Sequence, residues 1–271
     1  MNRPIIEFRD VNFGYGSADS VLRGCSISLD RGAFAVLLGP SGCGKSTLLR
    51  LAAGFIRPRS GQVLFDGKTV EGPDRRRILI FQEQDQLFPW SRLLTNTALP
   101  LLWGPDRCPR SEAEERARDA LGQVGLAGHL QDFPHQLSGG MKQRAVLARA
   151  LALGAEVLLL DEPFASLDAF SRESLQETLV EAWARHGTSI LFVTHDIHEA
   201  VRIGGELWFL HDARSSGLME RIPLPGFPAQ DYPPAQDRSP QGGSPQGRLL
   251  RDTDTPEALR VVKSIRERLT R

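Results

Sequence analysis

The chain turns on residues 39–47, Gly39-Pro40-Ser41-Gly42-Cys43-Gly44-Lys45-Ser46-Thr47, which follow an apolar run at residues 33–38. The stretch fits the phosphate-loop pattern G-x-x-x-x-G-K-[ST] at every fixed position. The apolar run reads as a buried strand, and residues 48–53 continue in good helix formers, so the glycine-rich turn lies between strand and helix. Glycines let the backbone turn tightly and aim successive N–H groups inward, and the helix adds the positive end of its dipole to the same concavity. A polyphosphate is the natural guest; the plain alternative is a tight structural turn. Lys45 can reach the β and γ phosphates, and the Ser46 hydroxyl can take a place on an accompanying magnesium ion.

The next strong signal lies far downstream. Val157-Leu158-Leu159-Leu160 is too apolar for a surface strand and reads as the central strand of a parallel sheet, ending in Asp161-Glu162. Two carboxylates at the carboxyl end of such a strand suit phosphoryl transfer to water, in which Asp161 can hold magnesium through water while Glu162 orients or deprotonates the attacking water; the plain alternative is a solvated strand end. Ser166-Leu167-Asp168 caps an amphipathic helix running to about residue 184, and residues 189–193 give another buried strand, ending at Thr194-His195. His195 is thus a third polar group at the same sheet edge. His195, His198 and Glu199 also admit a metal reading, but no further ligand cluster follows, so magnesium on oxygen ligands fits better than zinc.

Between these signals the chain changes texture. Residues 4–8 and 26–29 alternate as half-buried antiparallel strands do, and Tyr15 stands in the loop Phe13-Gly14-Tyr15-Gly16, where it could stack on a purine or simply pack down. Residues 62–66 and 78–82 read as strands, the second ending at Gln82. Leu87-Phe88-Pro89-Trp90 then gathers apolar residues where proline prevents regular pairing, as a buried corner or a docking patch would. Residues 93–124 turn helical, with Ser111 placed as an N-cap and Glu114 completing a capping box. Leu137-Ser138-Gly139-Gly140 opens another helix, on which Met141, Ala145, Ala148 and Ala152 share one face. The N–H groups freed at Ser138, Gly139 and Gly140 can meet an anion, or the serine is an ordinary cap.

Composition narrows the classes. The 271 residues carry 33 Lys plus Arg against 33 Asp plus Glu, a formal charge of zero. That leaves no global electrostatic case for nucleic acid or an anionic membrane. Cys25, Cys43 and Cys108 are odd in number and widely spaced, which argues for reduced thiols and against disulfides or zinc. No apolar run approaches a membrane span, so the expectation is a cytosolic chain unless a partner holds it at a membrane. Residues 223–248 are rich in proline, glycine, glutamine and serine, a composition that predicts a flexible segment; a P-x-x-P match at 225–228 lies inside it. Residues 253–269 read as a terminal helix capped near Asp254 or Thr255, docked against the sheet domain.

Over residues 5–210 the chain resembles the nucleotide-binding subunit of ABC transporters, with every diagnostic element in order. The resemblance implies an α/β fold: a P-loop NTPase, RecA-like core over residues 1–222, with an N-terminal antiparallel β subdomain and an α-helical subdomain inserted at about 88–152. It implies that Tyr15 stacks on adenine, that residues 39–47 are the Walker A loop, and that Gln82 contacts the metal and the water. Leu137 to Arg144 is similar to the signature sequence, Asp161 and Glu162 to the Walker B pair, Asp168 to the D-loop aspartate and His195 to the switch histidine. The implied cofactors are ATP and Mg2+. In this family two copies pack head to tail, so Ser138 and Gly140 of one would complete the γ-phosphate site of the other.

The implied partners are a second copy, transmembrane permease subunits contacted through residues 86–90, and a solute-binding protein, with the chain peripheral on the cytoplasmic face of the inner membrane. Phe81-Gln82-Glu83 followed by Leu87-Phe88-Pro89-Trp90 is similar to importer ATPases for nitrate, sulfonates and taurine. One departure is Gly204-Gly205-Glu206, where the family tends to have Ala-Asp-Arg. A DNA-maintenance ABC ATPase would carry long coiled coils between phosphate loop and signature, and residues 88–152 hold no sustained heptads. A binding module with a degenerate site is at odds with intact Lys45, Glu162 and His195.

Overall fold

The computed structural model describes residues 4–16, 20–82, 86–104, 106–211, 219–224, 253 and 255–269. Strands β1 (Pro4–Phe13), β2 (Leu22–Asp30), β4 (Ser60–Phe65) and β5 (Lys68–Thr69) form an antiparallel sheet in the order β2-β1-β4-β5. The second sheet holds β3 (Phe34–Leu38), β6 (Arg77–Ile80), β7 (Val157–Asp161), β8 (Ser189–Val193), β9 (Glu206–Leu210) and β10 (Met219–Pro223), in the order β10-β9-β3-β8-β7-β6. All its pairings are parallel except that of β10 with β9.

The strands of the larger sheet read as continuous apolar runs because each face meets a different core. In β3, Ala35 and Leu37 join Val157, Leu159, Leu191, Val193 and the side chains of β1 and α1 (Lys45–Ala53) on one face. Phe34, Val36 and Leu38 join Leu158, Leu160, Ile190 and Phe192 on the other. Alternation of period two is therefore present but apolar on both sides, as in sheets covered twice. β7 lies second from an edge, with β3 and β8 at the centre; its burial comes from this double cover and not from a central place.

Between β6 and β7 the chain runs through α2 (Leu93–Leu102), α3 (Arg110–Gln123) and α4 (Gly139–Ala152), the inserted helical unit. The capping box expected at Ser111 is not formed. Pro109 is the N-cap, so Ser111 falls inside the first turn, and Glu114 instead accepts from Arg110 Nε at 2.9 Å. On α4, Ala145, Ala148 and Ala152 are buried and Met141 half-buried. Helices α5 (Ala169–His186) and α6 (Ile197–Ile203) flank β8 in sequence.

The last helix, α7 (Pro256–Leu269), starts with the Ala258 N–H donating to Thr255 Oγ1 at 3.2 Å. Ala258, Val262 and Ile265 enter the same core as Ala200, Val201 and Ile203 of α6. The segment expected to be flexible and the P-x-x-P match fall almost wholly on residues outside the described ones, as does Asp254. Gly204 explains its own departure from the family pattern: a Cβ there would stand 2.7 Å from Val36 Cγ2 and 2.8 Å from the Ala200 carbonyl, so only glycine lets α6 end so close to β3.

Candidate active site

The parallel register sets the site. Leu37 pairs with Val193, Asp161 with Val193, and Ile80 with Leu160, so the residues just beyond β3, β8, β7 and β6 share one edge of the sheet. Ligands of open α/β sheets bind at that carboxyl edge.

Beyond β3 the loop turns into α1 at Gly44, the N-cap, whose φ of 107° lies where a Cβ is strained. No side chain caps α1, which leaves its first N–H groups facing the loop. Lys45 is buried, and its Nζ donates to the carbonyls of Gly39 at 2.9 Å and Pro40 at 2.8 Å, folding back across the loop. Ser41 is exposed, and Cys43 is buried and in no disulfide. Tyr15, 60 % exposed, is anchored beside the loop by a 3.2 Å hydrogen bond between its hydroxyl and Thr47 Oγ1 and by edge-on packing on Phe13.

Ser46 Oγ donates to Asp161 Oδ1 at 3.1 Å. Burial pushes the Asp161 carboxyl above the ordinary carboxylate range; the Ser46 hydrogen bond opposes that, the neighbouring Glu162 charge adds to it, and Arg50 and Lys45 pull it back. Hydroxyl and carboxylate oxygens converging here are donors that suit a hard divalent cation such as Mg2+. Among the described residues no cluster of three or more His, Cys, Asp or Glu offers another metal site. In particular His195, His198 and Glu199 do not converge: Glu199 is engaged by Thr194 and Gln176, and His198 Nε2 lies 3.2 Å from Arg266.

Glu162 takes a left-handed backbone, φ 45°, at a strain of order 1–3 kcal/mol for a residue with a side chain. Its N–H donates to the Val193 carbonyl at 3.1 Å, which holds the chain in that turn. The turned carboxylate meets His195, with Oε2 and Nδ1 2.9 Å apart. Gln82, exposed, stands two residues beyond β6 as Glu162 stands two beyond the paired Leu160.

Two further groups stand on helix starts. Ser138 caps α4, its Oγ accepting from the Met141 N–H at 3.3 Å, with Gly139 half-buried and Gly140 buried. Asp168 caps α5, and the hydrogen bond from Ser171 lowers its carboxyl pKa. A Cβ on Gly140 would lie 3.3 Å from Ser171 Cβ, so these two starts adjoin. The structure thus gathers Lys45, Ser46, Asp161, Glu162 and His195 on one edge and pairs Ser138–Gly140 with the Asp168 turn, on other elements.

The network behind His195 has no local motif in the sequence. Thr194 Oγ1 donates to Glu199 Oε2, and Gln176 Nε2 donates to Glu199 Oε1 at 3.0 Å, with all three residues buried. The available signal was a carboxylate set directly before the apolar pair Ala200-Val201.

This architecture is that of an ATP-binding cassette. Residues 22–165 match the ABC transporter family, and the chain belongs to it. It is 51 % identical over 193 residues to the taurine import ATP-binding protein TauB of Chromobacterium violaceum, covering 71 % of this chain and 72 % of that protein. With TauB of Pseudomonas entomophila it shares 45 % over 223 residues, 81 % of this chain and 84 % of the relative. Among solved structures it is similar to cbiO1 of Clostridium perfringens, part of an ABC transporter complex, with a TM-score of 0.70 at 28 % identity, covering 76 % of this chain and 84 % of that one. A dimeric bacterial ABC transporter cassette matches at a TM-score of 0.69 and 29 % identity, covering 82 % of this chain and all of that one.

Proposed function

We propose that this chain is the ATP-hydrolysing motor of an importer for a small sulfonate such as taurine, working as a homodimer on the cytoplasmic face of the inner membrane against permease subunits fed by a solute-binding protein. The observation that carries the motor reading is the convergence of Lys45, Ser46, Asp161, Glu162 and His195 on one sheet edge. The cargo reading is drawn from the names of relatives up to 51 % identical. Among the described residues no helix is long and apolar enough to cross a membrane, so the stroke has to act through other chains.

The roles follow from position. Tyr15 offers its exposed ring to adenine. The loop of Gly39, Pro40, Ser41, Gly42, Cys43, Gly44, Lys45, Ser46 and Thr47 wraps the phosphates, and the Lys45 ammonium exchanges the Gly39 and Pro40 carbonyls for phosphate oxygens. Ser46, Asp161 and Gln82 would hold Mg2+, which when bound neutralises charge on the β and γ oxygens. Glu162 orients the attacking water and takes its proton, while His195 steadies Glu162 and reaches toward the γ-phosphate. Ser138 of the partner subunit, with its Gly139 and Gly140, closes the site, and Asp168 lies at the same seam. Hydrolysis removes the bridging γ-phosphate and lets the pair reopen.

Uptake of labelled taurine by cells lacking the chain, with and without its restoration, tests the whole reading. Rescue by the wild-type chain and not by Glu162→Gln supports it. Purified chain that hydrolyses ATP while taurine uptake never depends on it would leave the motor and remove the cargo.

A further inference from the structure

His195 is held by very little at its own side chain. The imidazole is 68 % exposed, and it pairs with Glu162. Its placement must come from the backbone, and the residues on either side of it are tightly committed. Thr194, 3 % exposed, donates its hydroxyl proton to Glu199 and accepts the Asp196 N–H on the same oxygen at 3.0 Å. Asp196 in turn accepts the His198 N–H at 2.8 Å and caps α6. The second carboxylate oxygen of Glu199 accepts from Gln176 Nε2 at 3.0 Å, and Gln176 belongs to α5, the helix that Asp168 begins.

We infer that Glu199 is a positioning residue: through the Thr194 hydroxyl it fixes the turn that presents His195 to Glu162, and through Gln176 it fastens that turn to α5. A buried carboxylate is costly unless its oxygens are satisfied, and here both are, one by each of the elements it joins. An apolar residue at 199 would pack the same space and leave the Thr194 hydroxyl without its acceptor. The network also links the His195 turn to the helix whose start adjoins the Ser138–Gly140 turn. A displacement of α5 would therefore reach the His195 turn through Gln176, Glu199 and Thr194.

This rests on the reading of His195 as a group acting on Glu162 and the γ-phosphate. The test is a cycle of ATP turnover in the full-length chain: Glu199→Gln, Thr194→Val and Thr194→Ser, each with His195 intact and as His195→Ala. Glu199→Gln and Thr194→Val should each lower kcat about tenfold with KM for ATP within about twofold, as loss of a residue that orients another does. Thr194→Ser, which keeps the hydroxyl, should retain kcat within about twofold. In the His195→Ala background the same changes should cost less than about twofold more, because a residue acting through His195 has nothing left to act on. Equal losses in both backgrounds, or wild-type kcat in Glu199→Gln, would overturn the inference. If Glu199→Gln does not fold, the Val and Ser variants at 194 decide by the same criteria. Wild-type kcat in His195→Ala alone would instead remove the assignment of His195 and the inference with it.

Discussion

His195 Nδ1 and Glu162 Oε2 stand 2.9 Å apart, although the two residues are 33 positions distant in the chain. The pairing exists because β7 and β8 run parallel in register, Asp161 beside Val193, and because Glu162 leaves β7 in a left-handed turn. In the proposed mechanism this carboxylate is the base for water, and removing its charge while keeping its shape isolates that role. Glu162→Gln should bind ATP as tightly as wild type, lose at least about 100-fold in turnover, and accumulate as an ATP-dependent dimer. Phosphate release and size-exclusion chromatography read the two outcomes, and hydrolysis at the wild-type rate would show that another group activates the water.

Lys45 forms hydrogen bonds to two loop carbonyls, so its ammonium is already placed at the mouth of the loop. Exchange of those neutral acceptors for phosphate oxygens sets opposite charges across each bond, and hydrogen bonds to charged groups are worth about 1.5–3 kcal/mol. Lys45→Ala should therefore weaken ATP binding about 10- to 100-fold in calorimetry. Unchanged affinity would mean that the loop N–H groups alone hold the phosphates.

Asp161 gives a prediction with a definite sign. Burial raises its pKa above the unfolded value, so the stabilisation tied to its protonated form is present in acid and lost as pH rises through the folded pKa. Burial makes the ionised form of this side chain the costly one for the chain without metal. Asp161→Asn should then raise the Tm measured without ATP and Mg2+, and shrink the increment that Mg2+ and ATP add to it. A lower Tm for the metal-free variant would contradict this balance.

These three positions were legible in the sequence because each sits in a short local pattern: a strand, a turn, and the residues that a turn must present. The same holds for the Asp168 cap, where three consecutive residues contain the whole signal. What was not legible depends on distance. The bond from Tyr15 to Thr47 spans 32 residues and the bond from Gln176 to Glu199 spans 23, and no periodicity reports such pairs. The misplaced cap at Ser111 has a different cause: both Pro109 and Ser111 suit a helix start, and the helix begins at the earlier, with the Ala113 N–H donating to the Pro109 carbonyl at 2.9 Å. Gly204 was seen only as a departure, since its tight approach to Val36 exists only once β3 and α6 have met.

Phe88 and Trp90 form an aromatic pair with centroids 5.5 Å apart, and Trp90 is 73 % exposed. The Asn96 side chain clasps the backbone beneath them, accepting the Phe88 N–H at 2.7 Å and donating to the Ser91 carbonyl at 2.8 Å. An exposed tryptophan backed by a half-buried phenylalanine on a clasped backbone suits contact with another protein. Replacing both with alanine should leave hydrolysis by the isolated chain within about twofold of wild type yet abolish ATP-driven transport in the assembled complex. Transport at the wild-type rate would remove this surface from the permease interface.

The phosphate loop and the Ser138 turn lie on different elements, and each copy in a twofold dimer would lend its Ser138 to the other's nucleotide. That arrangement can be tested without a complex structure by mixing two inactive chains. Lys45→Ala spoils the loop of its own copy, and Ser138→Arg blocks the nucleotide held by its neighbour. In a mixed dimer one site then carries both defects and the other carries neither. With random pairing about half the dimers are mixed, and each has one sound site, so the mixture should recover about one quarter of wild-type turnover while either variant alone stays inactive. If Ser138 instead served the nucleotide of its own copy, every site in the mixture would hold one defect, and no recovery would follow.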